Sequence, residues 1–495
     1  MVSRTFAFVL TAVLALGACK GKGKEAQQPP KPTPGSGAAT GSAARTGSGS
    51  AAADPWNIDA GPVVPETPEA RKKRADAALA RVAEIMPKLA KVRGLTFDHD
   101  IPRMYQSTAD FKTFVHAEIT KELPEAKAAE MSAALFQLGL LTKPGNLAQL
   151  EEQAFTTQAG AYYDPVQKKF FLVMVPDSDL LLDTISAHEL THGLADQHFD
   201  LRKYMPEAGK DGKPVLNDDE QTARRFVAEG DATFTMFLYA AGAMAPDGAL
   251  PPTMLKMLRS QLEQFAAMSP EEMMKMNSSG FSSMDPEIKK SIDAMNEIPM
   301  TVLVPMVDSY MQGALLVAAA FDQNGWTAVN ALYTQPPEST EQALHPNTKM
   351  YPRRDHPQVV TLAKPADPEI TDVVLGELQW QVYFGLWVPA SRAAASEGWG
   401  GDHASVTKRK DGRLVARIAT SWDTPNDAKE FATAYVASLA KRFPGAAGDA
   451  QKDGLARPGN AGKIFVKLDG QKVFVVDGAD DAKDLDTLAK TTTVK

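Results

Sequence analysis

The stretch His188-Glu-Leu-Thr-His-Gly-Leu-Ala-Asp-Gln-His198 holds three of the chain's eight histidines and constrains the fold more than any other segment. Two of the histidines bracket a glutamate as His-Glu-x-x-His. An α-helix turns about 100° per residue, so His188 and His192 share one face, about 6 Å apart along the axis, and can point two imidazole nitrogens at one zinc ion. Glu189 can reach a water on that ion without being a ligand and take its proton, because zinc lowers the water's pKa. The segment therefore has to be a buried helix, and Leu180, Leu181, Leu182 and Ile185 are the apolar residues that bury it. It is expected to begin at Asp179, in the capping run Asp177-Ser178-Asp179.

A catalytic zinc needs a third protein ligand and an open position. Two residues compete for the place. His198 matches the spacing HExxHxxGxxH, but that pattern turns the chain at a glycine with positive φ. Here the position is Ala195, and Gly193 is displaced from it. A continuing helix would carry His198 about 240° round from His192. The other candidate is Glu229, on a helix expected from Glu220 to Ala243. Gly230 and Ala232 are small and would let this helix approach the first one closely. A glycine inside a helix costs about 1 kcal/mol relative to alanine, so something has to favour it. Asp231 and Asp196 are candidates for orienting a ligand imidazole, or else solvated helix-surface charges.

Upstream, Pro68 onward has apolar residues at helical spacing, and helices follow near Ala109–Glu122 and Glu125–Leu141. The period then changes. Gly160–Tyr163 and Lys169–Val175 read as strands around an Asp164-Pro165 turn, a β-hairpin just before the histidine motif. Substrate backbone pairing along Lys169–Val175 is one expectation of that placement. The Met-rich stretch from Met244 to Met300 reads as core filler or a helical cover. Helices continue through Thr301–Phe321 and Thr327–Tyr333. A composition shift near Pro365–Pro368 marks an expected boundary. Beyond it come a helix (Thr371–Tyr383), a strand pair (Ala404–Lys408 and Leu414–Ser421), a helix (Pro425–Arg442), a second strand pair (Gly462–Leu468 and Lys472–Val476) and a short helix (Asp480–Lys490). Glycines on either side of Trp399, in Glu397-Gly-Trp-Gly-Gly-Asp402, point to a fixed turn or a domain contact around an exposed aromatic.

The N-terminus reads as a secretory signal: Arg4, an apolar run from Phe6 to Leu16, then small residues. The sole cysteine, Cys19, ends Leu16-Gly-Ala-Cys19, which resembles the bacterial lipobox. The resemblance implies cleavage after residue 18 and lipid attachment to Cys19. Lys20 to about Glu66 is rich in Gly, Ser, Ala and Pro and reads as a tether. No later stretch is expected to span a membrane. With a net charge of −8 and no zinc-finger or P-loop spacing, nucleic acid is not an expected partner.

Taken together and in order, GAYYDP, HELTHGLADQHFDL, AEGDAT and STEQALHP resemble a largely uncharacterised family of bacterial lipoprotein or secreted HExxH metallopeptidases of gluzincin type. The C-terminal EGWGGD and SWDTPNDAKEFATAY resemble the tail of the same family. The resemblance implies zinc held by His188, His192 and Glu229 and a peptidase-like fold, but it does not supply a substrate; with Glu189 as base, a peptide or protein is the expected partner. A peptidase also needs a donor for the developing oxyanion. His345, four residues after Glu341 and in the same Pro-rich segment as His356, is the first candidate unless it merely fixes that turn, and Tyr310 is the second. The expectation is an α+β chain with four parts. These are a signal peptide (1–18), a tether (19–66), a mainly helical zincin-like domain with a small β-hairpin or sheet (67–364), and a small α+β domain (365–495). The expected function is that of a zinc peptidase of the cell envelope, lipid-anchored with the outer membrane preferred. A zinc-containing envelope protein that binds or assembles without turnover is the alternative.

Overall fold

A computed structural model describes residues 67–156, 160–176, 178–206, 214–243, 252–268 and 297–495. The expected signal peptide and tether, with Cys19, lie outside the described residues, as does most of the Met-rich stretch, of which the helix Pro252–Ala266 is described. The architecture is mixed α+β, as the sequence implies: a helical half with a small sheet, and a second half built on a larger sheet.

The first helix, Pro68–Arg93, starts at Thr67, whose hydroxyl accepts from the Ala70 amide, and stops at Gly94 with φ of 68°. A side chain there would also meet the Trp326 ring, so glycine answers two demands at once. Next comes a three-stranded sheet in the order Arg103–Tyr105, Lys169–Leu172, Ala161–Asp164. The hairpin is present, but Lys169–Leu172 is its central strand: Arg103–Tyr105 pairs with it in parallel on one side and Ala161–Asp164 antiparallel on the other. Substrate cannot pair with an edge that is already paired, so the expected docking on Lys169–Val175 is corrected.

The motif helix spans Asp179–Phe199, capped by Ser178. The glutamate helix spans Asp218–Ala243. Against the glutamate helix packs a long helix, Met300–Thr334, which a kink at the non-helical residues Asn324 and Gly325 divides into the two expected helices. It is long and apolar enough to cross a membrane, yet 89% of its apolar window is buried inside the protein, as befits a core helix. Gly230 explains the packing. A Cβ there would sit 2.1 Å from the Gly313 carbonyl oxygen, and one at Gly313 would sit 2.4 Å from that of Phe226. The close approach that Gly230 permits is thus to the long helix, not to the motif helix.

The larger sheet is antiparallel and seven-stranded, in the order Glu369–Val373, Trp399–Lys408, Leu414–Trp422, Lys472–Ala479, Lys463–Asp469, Gly454–Ala456, Gly448–Asp449. The expected helix Thr371–Tyr383 is corrected here. Its first residues are strand, and the helix is Gly376–Trp387, because Gly376 has φ of 73° and breaks the element. Trp399 is not an exposed turn aromatic. It is 1% exposed, and its indole donates to Asp402 at 2.7 Å. The same carboxylate accepts from the Leu375 and Gly376 amides and the Trp380 indole, which fixes the start of that helix onto the strand. The two halves share a core. One apolar cluster joins Phe111, Leu135 and Phe155 to Trp380, Phe431 and Val473. Gln137, on the helix Glu125–Leu138, donates to the Asp477 carbonyl in the sheet.

Candidate metal centre

The motif and glutamate helices bring His188, His192 and Glu229 together; the three are 2%, 1% and 1% exposed. His188 Nε2 lies 3.2 Å from Glu229 Oε2, His192 Nε2 lies 3.4 Å from the same oxygen, and the two Nε2 atoms are 3.2 Å apart. The imidazole rings meet edge to face at 82°. Two ligands at N and O bonding distance from a tetrahedral cation are separated by about 3.4 Å. The triangle therefore has the edge length such an ion requires, and the group can hold a metal ion. Among the described residues no other His, Cys, Asp or Glu group does so.

Glu189 is fully buried beside the triangle. The Tyr163 amide donates to its Oε2 at 3.1 Å, while its Oε1 is buried with no hydrogen-bond partner. A buried oxygen left unpaired costs about 1–3 kcal/mol, so this one fits a role that needs an open lone pair facing the site. Burial, and after it the neighbouring Glu229, push the Glu189 carboxyl well above the ordinary carboxylate range. Burial also opposes the Glu229 charge, but His192 and His188 outweigh it and hold Glu229 below that range. Burial lowers His188, which favours the neutral imidazole that a metal takes.

The strand carrying Tyr163 is clamped onto the motif helix. Gly193 makes room, since a Cβ there would come within 2.4 Å of Ile101 and 3.0 Å of the Tyr163 ring. Asp196 completes the clamp. It is neither a solvated charge nor shown holding an imidazole; its Oδ2 accepts from the Tyr163 hydroxyl at 2.7 Å and Lys168 Nζ at 2.6 Å. Asp231 likewise turns away from the ligands. It forms a fully buried, two-pronged pair with Arg93 at 2.7 and 3.0 Å and accepts from the Tyr333 hydroxyl at 2.9 Å.

His198 is outside the group. Its Nε2 donates to the Thr96 carbonyl at 2.7 Å, because the helix carries it round to the far side. His345 also has its partner elsewhere, with Nε2 2.9 Å from Glu377 Oε1. Tyr310 is the donor that stands at the triangle. Its ring centroid is 5.6 Å from that of His188, and Glu229 and Glu189 are the charged groups beside its phenol. Burial, then Glu229 and Glu189, push its phenol well up, so it remains a donor. The Gly230–Gly313 contact sets Tyr310 there, one turn back along the long helix. Sequence reading missed Arg225, one turn before Glu229 on the same helix face and 7% exposed.

The His345–Glu377 bond gives a pH signature. The Glu377 hydrogen bond raises His345 above its ordinary value of about 6.5. A raised folded-state pKa adds stability that is complete below the unfolded value and is lost as pH rises through the folded one. The stability difference between wild type and His345→Gln is therefore expected to be larger at pH 6 than at pH 9 in urea unfolding. An equal difference at both would show that His345 gains nothing from Glu377.

Residues 364–489 match a family described only as a domain of unknown function (DUF8575). This stretch contains the whole seven-stranded sheet and none of the metal-binding group. No curated protein matches the chain, and no solved structure does.

Proposed function

We propose that the chain is a zinc-dependent peptidase of the cell envelope, anchored through lipid on Cys19 and acting on peptides or proteins. The observation that carries this reading is Glu189, buried against the triangle with Oε1 unpartnered. Two imidazoles and a glutamate form a donor set that suits zinc in catalytic sites, with the fourth position open. His198, the nearby residue able to close that position, is committed to Thr96 instead, which speaks against the non-catalytic alternative. When bound, zinc supplies Lewis-acid polarisation of the scissile carbonyl and a water acidic enough to ionise near neutral pH. His188, His192 and Glu229 would hold it. Glu189 Oε1 accepts the proton of the attacking water and passes it to the leaving amine. Tyr310 donates its phenolic hydrogen to the oxygen on which charge develops.

The test is zinc per chain and hydrolysis of a mixed peptide pool, for wild type and His198→Ala. One zinc per chain in both, with cleavage that a chelator abolishes, is expected. Zinc without any cleavage would favour the binding or assembly protein, and loss of zinc in His198→Ala would replace the ligand set. For the anchor, Cys19→Ser is expected to move the protein from the membrane fraction to the soluble one; continued sedimentation with membranes would remove that part of the reading.

A further inference from the structure

We infer that Arg225 is the anion site beside the metal-binding group and holds the terminal carboxylate of a peptide, so that the substrates are peptides cut close to a free C-terminus. The inference rests on the peptidase reading above. Arg225 lies four residues before Glu229 and so on the same helix face as the third ligand. Glu229, Tyr310, Glu151 and Glu122 are the groups that face it. Arg225 is 7% exposed, and its Nε is buried with no hydrogen-bond partner.

That atom decides the argument. A guanidinium takes a carboxylate side-on through Nε and one Nη. The protein does this elsewhere, in Arg93 with Asp231 at 2.7 and 3.0 Å and in Arg81 with Asp183 at 2.5 and 2.8 Å. In Arg225 the Nε half of that fork is unengaged, at a place where an unmade bond from a charged group is costly. A metal on the triangle draws on the charge of Glu229, which weakens it further as a counter-ion for Arg225. A planar carboxylate matches the fork with two acceptors, whereas a backbone carbonyl supplies only one.

The experiment compares N-acetylated hexapeptide pools, one with free C-terminal acids and one amidated, on the zinc-loaded full-length protein. The free acids are expected to be cleaved with kcat/KM about 10–100-fold higher, the range that a charge-assisted hydrogen bond supplies. Products should lack one or two C-terminal residues. Arg225→Gln is expected to bring the ratio near one by raising KM for the acids, with zinc per chain retained, and Arg225→Lys to restore part of it. Equal cleavage of both pools by wild type overturns the inference and leaves the peptidase reading standing. If wild type cleaves neither pool and Glu189→Gln binds neither by calorimetry, the peptidase reading falls and the inference with it.

Discussion

Glu189→Gln is expected to keep zinc at the wild-type level and to lower peptide hydrolysis by about 10²–10⁴-fold, the usual contribution of a positioned general base. The amide still fits the buried pocket and can still face the Tyr163 amide, but it has no basic oxygen to offer at Oε1. Glu229→Gln is expected to fail differently. It removes the carboxylate oxygen that both imidazoles face at 3.2 and 3.4 Å, so the metal itself is weakened. The loss should exceed about 100-fold, which removal of a mere outer-shell partner can already reach. Metal per chain after dialysis against graded chelator, read beside hydrolysis of the peptide pool, separates the two variants. Turnover undiminished in Glu189→Gln would end the peptidase reading. Undiminished metal retention in Glu229→Gln would remove Glu229 from the ligand set.

The part of this site that one helix carries was legible in the sequence. The i, i+4 relation of His188 and His192 follows from helical pitch alone, and the buried motif helix begins at Asp179 as expected. Glu229 was legible from its neighbours, although the reason for Gly230 was not. Its demand comes from Gly313 on a third helix, a contact that only folding brings about. The same gap hid the donor. His345 and Tyr310 are each one residue in a helical or Pro-rich stretch, and nothing local tells which of them reaches His188. Arg225 reads as an ordinary surface charge until its helix face is known to be buried. Strand Arg103–Tyr105 has three residues, too few for an alternating pattern, so the central place of Lys169–Leu172 could not be foreseen. Trp399 misled because its flanking glycines look like a loop. Gly398 does turn the chain, with φ of 76°, but the glycines after Trp399 serve the strand, where a Cβ at Gly401 would sit 2.3 Å from the Gln358 carbonyl oxygen.

Asp231→Ala is expected to destabilise the protein by about 3–5 kcal/mol, the cost of stranding one member of a buried ion pair. Arg93 and Asp231 are both 0% exposed, so no water can replace the missing carboxylate. Arg93 would keep the Trp326 ring beneath its guanidinium at 4.5 Å, but a ring face is a weaker partner than a two-pronged carboxylate. Tyr333 would lose its acceptor as well. The pair ties the helix Pro68–Arg93 to the glutamate helix two residues from Glu229, so zinc retention should also fall, though less than in Glu229→Gln. Arg93→Met combined with Asp231→Leu is expected to recover most of the stability, because apolar residues of similar volume often replace a buried pair without loss. Urea unfolding of the single and double variants measures both effects. A single variant as stable as wild type would mean that the pair contributes nothing to the fold. A double variant no better than the single one would mean that the Arg93 and Asp231 positions need polar contacts, such as the one from Tyr333, rather than charge neutrality.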